Sequence, residues 1–263
     1  MEDVSPGHIR AYLSEEKKRG ISAETIHRSY GGLRCFFKFL QRDGIISRNP
    51  MELVEKPRRE RRLIRPMDPE QVRALLAQPD PKTFLGLRNK VMMLLMLDSG
   101  LRLSEVLGIR LCHVDINGGG VVVMGKGRKE RSVPFAETLR RALRSYLGKR
   151  AKLRAGGDLL FVSRKGRRLT GRHVQIIVRR YGRQAGIEGV RLSPHTLRHT
   201  FATQYIRNGG DPFSLQAILG HSTLEMVRNY VNLASRDIMV QHKKFSPLDC
   251  LFAGRQPGLL GEL

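Results

Sequence analysis

Between Leu192 and Val231 the chain reads LSPHTLRHTFATQYIRNGGDPFSLQAILGHSTLEMVRNYV, and no other stretch constrains it as tightly. The pattern is helix, turn, short helix, turn, helix. Ser193 is an N-cap residue, Pro194 suits the first helical position, and His195 and Arg198 then fall three apart on one face. The positive end of such a helix favours an anion, above all a phosphate. Gly209-Gly210 stops this helix, Asp211-Pro212 opens the next, and Gly220 closes it, with His221 immediately after. The last helix carries Tyr230 about two and a half turns on.

These residue types suggest a reaction. A phenol with its ordinary pKa of about 10 is a poor nucleophile near neutral pH. It becomes effective when a neighbouring base takes its proton and cations steady the charge of the attacked group. Two histidines and an arginine near a tyrosine, with no carboxylate cluster, fit phosphoryl transfer to tyrosine without a metal or other cofactor. His195 and His199 have the i,i+4 spacing of two zinc ligands. However, Thr196 stands where a zinc protease needs Glu, and Arg198 would set a positive charge beside the ion. Satisfied histidines at a buried helix end are the plain alternative for any one of them; the combination argues for chemistry.

The partner follows from charge. Lys and Arg number 48 against 24 Asp and Glu, a formal net charge of +24 over 263 residues, which points to a polyanion and first to nucleic acid. The longest aliphatic run, VMMLLML at 91–97, is far too short to cross a bilayer, so no membrane is expected. Acidic residues at Glu2 and Asp3 and the absence of an apolar leader argue against secretion. Three widely spaced cysteines, Cys35, Cys112 and Cys250, fit a reducing compartment. The expectation is a cytoplasmic protein directed at nucleic acid.

Along the chain, residues 1–57 read as a small helical unit. One helix starts at Ser5-Pro6 and stops at Gly20; a longer one runs from Ser22 to about Arg42 with the apolar stripe Ile26, Tyr30, Leu33, Phe37 and Leu40. Arg34, Lys38 and Arg42 form a basic stripe beside it, a candidate DNA-facing surface. Residues 58–67 are a basic linker bounded by prolines, and its Arg58 and Arg59 suit a phosphate backbone. From 68 to 234 the second domain begins with a helix at Asp68-Pro69-Glu70, with Val72, Leu75 and Leu76 inward. A strongly apolar helix follows at 84–97. The run DSGLRLSEVLGI puts Arg102 in the first turn of a short helix with Glu105 three residues on, the spacing of a surface ion pair worth little. Residues 111–135 change period and read as a three-stranded antiparallel meander, with Lys126 between two glycines at the end of its second strand and Arg128 in the turn. Helices follow at 136–154 and 171–185. The loop RKGRRLTGRH offers Lys165, Arg167, Arg168 and Arg172 to a backbone. Residues 235–263 form an apolar tail containing one further helix at 235–244.

Taken together, Arg102, Lys126, HTLRH, LGHS and Tyr230 resemble, in order and approximate spacing, the tyrosine site-specific recombinases of the Xer and phage-integrase branch. SGLRLSE, GKGRKER, HTLRHTFAT and LGHSTLEMVRNYV form a specific set, and the resemblance covers nearly the whole chain. It implies a mainly α fold: an N-terminal helical DNA clamp and a catalytic domain with a small antiparallel sheet. It implies that Arg102 and Arg198 grip the scissile phosphate and that Lys126 gives a proton to the departing 5′-oxygen. His195 would handle the tyrosine proton, His221 would help hold the phosphate, and Glu105 would support Arg102. Tyr230 would form a 3′-phosphotyrosine link, and His199 would pack. The expected partners are double-stranded DNA with paired recombination sites, further copies of the chain in a synaptic tetramer, and accessory proteins or a second recombinase. The tail would dock on a neighbouring protomer or on its own domain. Full chains of this branch usually carry one more N-terminal helix than this sequence, and a separate arm-binding domain of the lambda type is not expected. Integration, excision, dimer resolution and transposition stay open. Two rivals share parts of the pattern: a type IB topoisomerase, and a DNA-binding protein without catalysis.

Overall fold

The computed structural model describes residues 4–58, 64–125, 130–153, 157–221, 223–234, 242 and 246–252. The chain divides into two compact units, Met1–Leu63 and Ile64–Leu263.

The first unit is built on two helices, α1 (Pro6–Lys18) and α2 (Ala23–Arg42), followed by a 3-10 turn at Pro50–Leu53. Their starts are set locally: the hydroxyls of Ser5 and Ser22 accept N–H bonds from His8 and Thr25. Ile9 and Leu13 of α1 pack on Ile26, Tyr30, Phe37 and Leu40 of α2 and on Met51 and Val54. Tyr30 is a core residue, its hydroxyl donating to the Val54 carbonyl at 3.0 Å.

The second unit is organised around α4 (Phe84–Ser99), a helix apolar on nearly every side and therefore buried. It is preceded by α3 (Pro69–Ala77), where Leu75 is buried and Val72 and Leu76 are partly so. It packs against α6 (Glu137–Ala151) and α8 (Pro194–Arg207). Tyr146 of α6 lies between Phe84 and Phe161, ring centroids 5.8 and 5.6 Å away, and its hydroxyl bonds the Leu160 carbonyl. The sheet runs β1 (Val114–Asp115), β2 (Gly120–Met124), β3 (Glu130–Pro134) in antiparallel order, with Val121 opposite Val133 and Met124 opposite Glu130. Val121, Val123 and Val133 face the core. The short α5 (Leu103–Gly108) packs on β2 and on α7 (Gly171–Gln184).

After α8 come α9 (Pro212–Leu219), α10 (Glu225–Ala234) and α11 (Pro247–Phe252). Phe201, Ala202, Ile206, Leu215, Leu219 and Val227 form a small second core with Tyr230, and this cluster holds α10 against α8. The helix expected at 235–244 lies, apart from His242, outside the described residues.

Two expectations change. Arg102 is the N-cap residue of α5 rather than a member of its first turn. Residues 64–67 are no free linker: Met67 is fully buried, and its N–H donates to Thr200 Oγ1 at 3.0 Å. Proline and arginine composition hid that anchor.

Candidate active site

The site is a cleft of about 700 Å³ lined by Arg102, Gln175, Arg179, Arg191, His195, Arg198, His221 and Tyr230 among others. Each wall has a local cause. Ser193 caps α8 through Thr196, and Pro194 occupies its first position, which sets His195 at the rim and Arg198 one turn deeper. Gly100 and Gly220 end α4 and α9 in the left-handed conformation, at φ 61° and 62°. Both helix ends thereby turn carbonyls toward the same point.

Arg198 occupies that point. It is buried, and its Nη1 donates to the Gly100 carbonyl at 2.6 Å. Its Nη2 donates to the Leu219 carbonyl at 3.0 Å and to His221 Nε2 at 2.9 Å. Burial, then the charge of Arg102, lowers its pKa to about 10, so it is still a cation at neutral pH. Its counter-charge comes from the negative ends of two helices rather than from a carboxylate of its own.

Arg102 is tied differently. Glu105, with only 5% of its side chain exposed, accepts the Arg102 N–H at 2.8 Å and Arg102 Nη1 at 3.0 Å. The same carboxylate takes a two-pronged bond from Arg131 of β3, 3.0 Å to each oxygen. Burial alone would raise the Glu105 pKa. The hydrogen bonds of Arg131, the Arg102 N–H, and then the Arg131 charge and the Arg102 side chain bring it below the ordinary carboxylate range. The surface pair expected from i,i+3 spacing is a triad around a buried carboxylate, with Arg102 still 38% exposed. Sequence reading missed Arg131, although the alternation of β3 puts it on the same face as buried Val133.

Tyr230 is buried to 8% exposure. Its ring lies 5.1 Å from that of His199, tilted by 54°, and 6.4 Å from that of His221, nearly parallel. Burial raises the phenol pKa above 10, while Arg198 and then Arg102 pull it back. The tyrosine is thus positioned but not ionised. Burial, then the Arg198 and Arg102 charges, lowers His221 to about 4. It is neutral, with Nε2 accepting from Arg198. His195 is lowered by partial desolvation, then by Arg198 and Arg191, which leaves a neutral imidazole able to accept a proton. His199 is lowered by burial as well and bonds the Ile64 backbone; it packs on the tyrosine directly.

The cleft therefore unites His195, Arg198, His221, Arg102 and Tyr230, with Glu105 behind. Lys126, Arg128 and Arg59 lie outside the described residues. Arg34, Lys38 and Arg42 are exposed along α2, with Arg42 paired to Asp43 at 3.2 Å. Arg58 is exposed beside a groove of about 1050 Å³ that Arg10 and Lys17 also line. Lys165, Arg167, Arg168 and Arg172 are exposed but do not line the cleft. Gln175, Arg179 and Arg191 line it instead and were missed; Arg172, Gln175 and Arg179 share helical spacing, the available signal. Among the described residues, no group of three or more His, Cys, Asp and Glu could hold a metal ion, and no helix is long and apolar enough to cross a membrane.

A mostly helical fold with a three-stranded sheet, carrying a tyrosine among arginines and histidines, defines a tyrosine recombinase. Residues 65–236 match the phage integrase family, and the chain belongs to it. It is 35% identical over 238 residues to tyrosine recombinase XerC of Anoxybacillus flavithermus, covering 89% of this chain and 79% of that one. With XerC of Haemophilus influenzae it shares 36% over 230 residues, covering 88% and 77%. Among solved structures it is similar to XerH bound to palindromic difH substrate in a post-cleavage complex, with TM-score 0.78 at 21% identity over 95% of this chain and 74% of that one. The Tn1549 transposon integrase in complex with a circular intermediate DNA gives TM-score 0.77 at 20% identity over 94% and 86%. The chain is a site-specific recombinase that cleaves and rejoins DNA. Neither the topoisomerase nor the binding-only alternative is favoured.

Proposed function

We propose that Tyr230 attacks the scissile phosphate and becomes linked to the 3′ end of the cut strand, while Arg102 and Arg198 hold the non-bridging oxygens. A guanidinium suits this because it stays charged and donates in pairs. His195 accepts the phenol proton, His221 steadies Arg198 and the phosphate, and Lys126 protonates the departing 5′-oxygen. A 5′-hydroxyl of a second strand then attacks the phosphotyrosine. The bond energy is kept in the intermediate, so neither ATP nor a metal enters the scheme. The observation that carries this reading is the convergence of both arginines, two neutral histidines and Tyr230 on one cleft.

The test is covalent capture on nicked duplexes drawn from the genome that encodes the chain. Wild-type protein should form an adduct stable in denaturing gels, and Tyr230→Phe should bind the same DNA yet form none. An adduct of undiminished yield would shift the nucleophile to another tyrosine, Tyr205 first.

On this reading, residues 1–57 form a helical DNA-binding unit and residues 68–234 the catalytic domain, and the basic segment that begins at Arg58 joins them. The protein works in the cytoplasm as a tetramer on two paired sites, alone or with a second recombinase or accessory proteins. The tail 235–263 docks on a neighbouring protomer. The exposure of Leu248 and Leu251 on α11, 65% and 72%, supports a partner surface.

A further inference from the structure

Among the described residues, Arg131 is the one cation of the site's polar network that does not line the cleft and is largely buried. Its side chain is 16% exposed, and it is anchored at both ends of the guanidinium. Nε donates to the Ile218 carbonyl at 3.1 Å, in the last turn of α9, and the two Nη atoms hold the two Glu105 oxygens at 3.0 Å each. Room for it depends on Gly220, where an added Cβ would stand 3.0 Å from its Cζ. Arg131 thus joins β3, α5 and the end of α9.

The consequence falls on Arg102. A carboxylate offers two oxygens, and an arginine fork prefers to take both. If Glu105 were free, Arg102 could close a two-pronged pair with it and turn its guanidinium away from the cleft. With Arg131 in place, Arg102 makes one side-chain bond to Glu105, and among the described residues its Nη2 has only the Gly220 carbonyl at 3.4 Å. The buried carboxylate is also neutralised twice over, so Arg102 retains positive charge for an anion. We propose that Arg131 is a positioning residue for strand cleavage, acting through Glu105 to keep Arg102 presented to the phosphate. This rests on the phosphate-binding role of Arg102 given above.

The test compares full-length variants on the nicked duplex that captures the wild-type protein. Arg131→Met should slow single-turnover capture about 100-fold, the size expected when a reacting group is misplaced by about 1 Å. Its affinity for the uncleaved duplex should stay within about threefold, since Arg131 does not face the DNA. Arg131→Lys, which keeps the charge but loses the fork, should fall between the two. In a Glu105→Gln background, adding Arg131→Met should cost less than about threefold, because the route through the carboxylate is already cut. A role in folding alone would lower the melting temperature and binding together and would add to Glu105→Gln in full. Capture by Arg131→Met at the wild-type rate overturns the proposal, as does a loss of equal size in both backgrounds. If Arg131→Met does not fold, wild-type capture by Arg131→Lys overturns it. Arg102→Ala separates the two levels. Undiminished capture there removes the role of Arg102 itself, whereas slow capture beside a fast Arg131→Met removes only the inference.

Discussion

Replacing Arg198 by lysine keeps the charge and removes the geometry. The guanidinium satisfies the Gly100 carbonyl at 2.6 Å, the Leu219 carbonyl at 3.0 Å and His221 Nε2 at 2.9 Å. A single ammonium on an unforked stem reaches one carbonyl well and leaves the other, and the imidazole, without a donor. Each buried acceptor left unmade costs about 1–3 kcal/mol, so Arg198→Lys should destabilise the second unit by about 2–4 kcal/mol. For a unit of this size that is a fall in Tm of about 5–15 °C, readable by calorimetry. The catalytic loss is of similar size in free energy. Removing one preorganised donor to a developing charge costs about 10²–10³ in rate, and single-turnover capture on nicked duplex should fall by that amount. Binding to uncleaved DNA should keep its salt dependence, because the number of neutralised phosphates is unchanged. A variant with unchanged Tm and a capture rate within about threefold of wild type would refute the reasoning that the fork, not the charge, is what Arg198 contributes.

Three further outcomes follow from the same geometry. The pKa of His221 falls from 6.5 to about 4 on folding, so the unfolded chain binds the extra proton first as pH drops. Stability should therefore be full above pH 6.5 and decline toward pH 4 by up to about 1.4 kcal/mol per pH unit from this residue. His221→Asn should flatten the melting-temperature profile in that window, leaving the smaller slopes of His195 and His199, whose shifts have the same sign. Gly100→Ala should cost about 2–4 kcal/mol in denaturant titration: the residue sits at φ +61°, and its new Cβ would stand 2.3 Å from Phe201 Cδ1. Lys126→Ala should slow cleavage of an ordinary strand strongly, yet cut a 5′-bridging phosphorothioate nearly as fast as wild type, since sulfur departs without the proton. Equal losses on both substrates would leave Lys126 a positioning role only.

What the sequence disclosed depended on range. Helix starts at Ser5, Ser22, Asp68, Ser193 and Asp211 were legible because the capping oxygen and its N–H partner lie within three residues. The stop at Gly220 was legible because a left-handed residue is nearly always glycine. The contact of His199 with Tyr230 was not, since it needs the packing of α10 on α8. Arg131 escaped for the same reason: its partner is 26 residues away on another element, and in sequence it is one basic residue in a basic run. Met67 was misread because composition marks residues 58–67 as linker, and only a hydroxyl 133 residues distant reveals the anchor.

That separation bears on how the protein comes into being. The bond from Arg198 to the Gly100 carbonyl spans 98 residues, and Tyr230 is seated only after α10 has packed on α8. Contacts of such range close late, because the entropy of the intervening loop must be overcome first. During synthesis, α4 emerges before Arg198, which its end will hold, and Tyr230 emerges later still. A nascent, nicked or half-folded chain can therefore carry the positive charge that draws it to DNA while lacking an assembled centre able to cut it. Competence to cut DNA therefore depends on contacts that bring distant parts of the chain together.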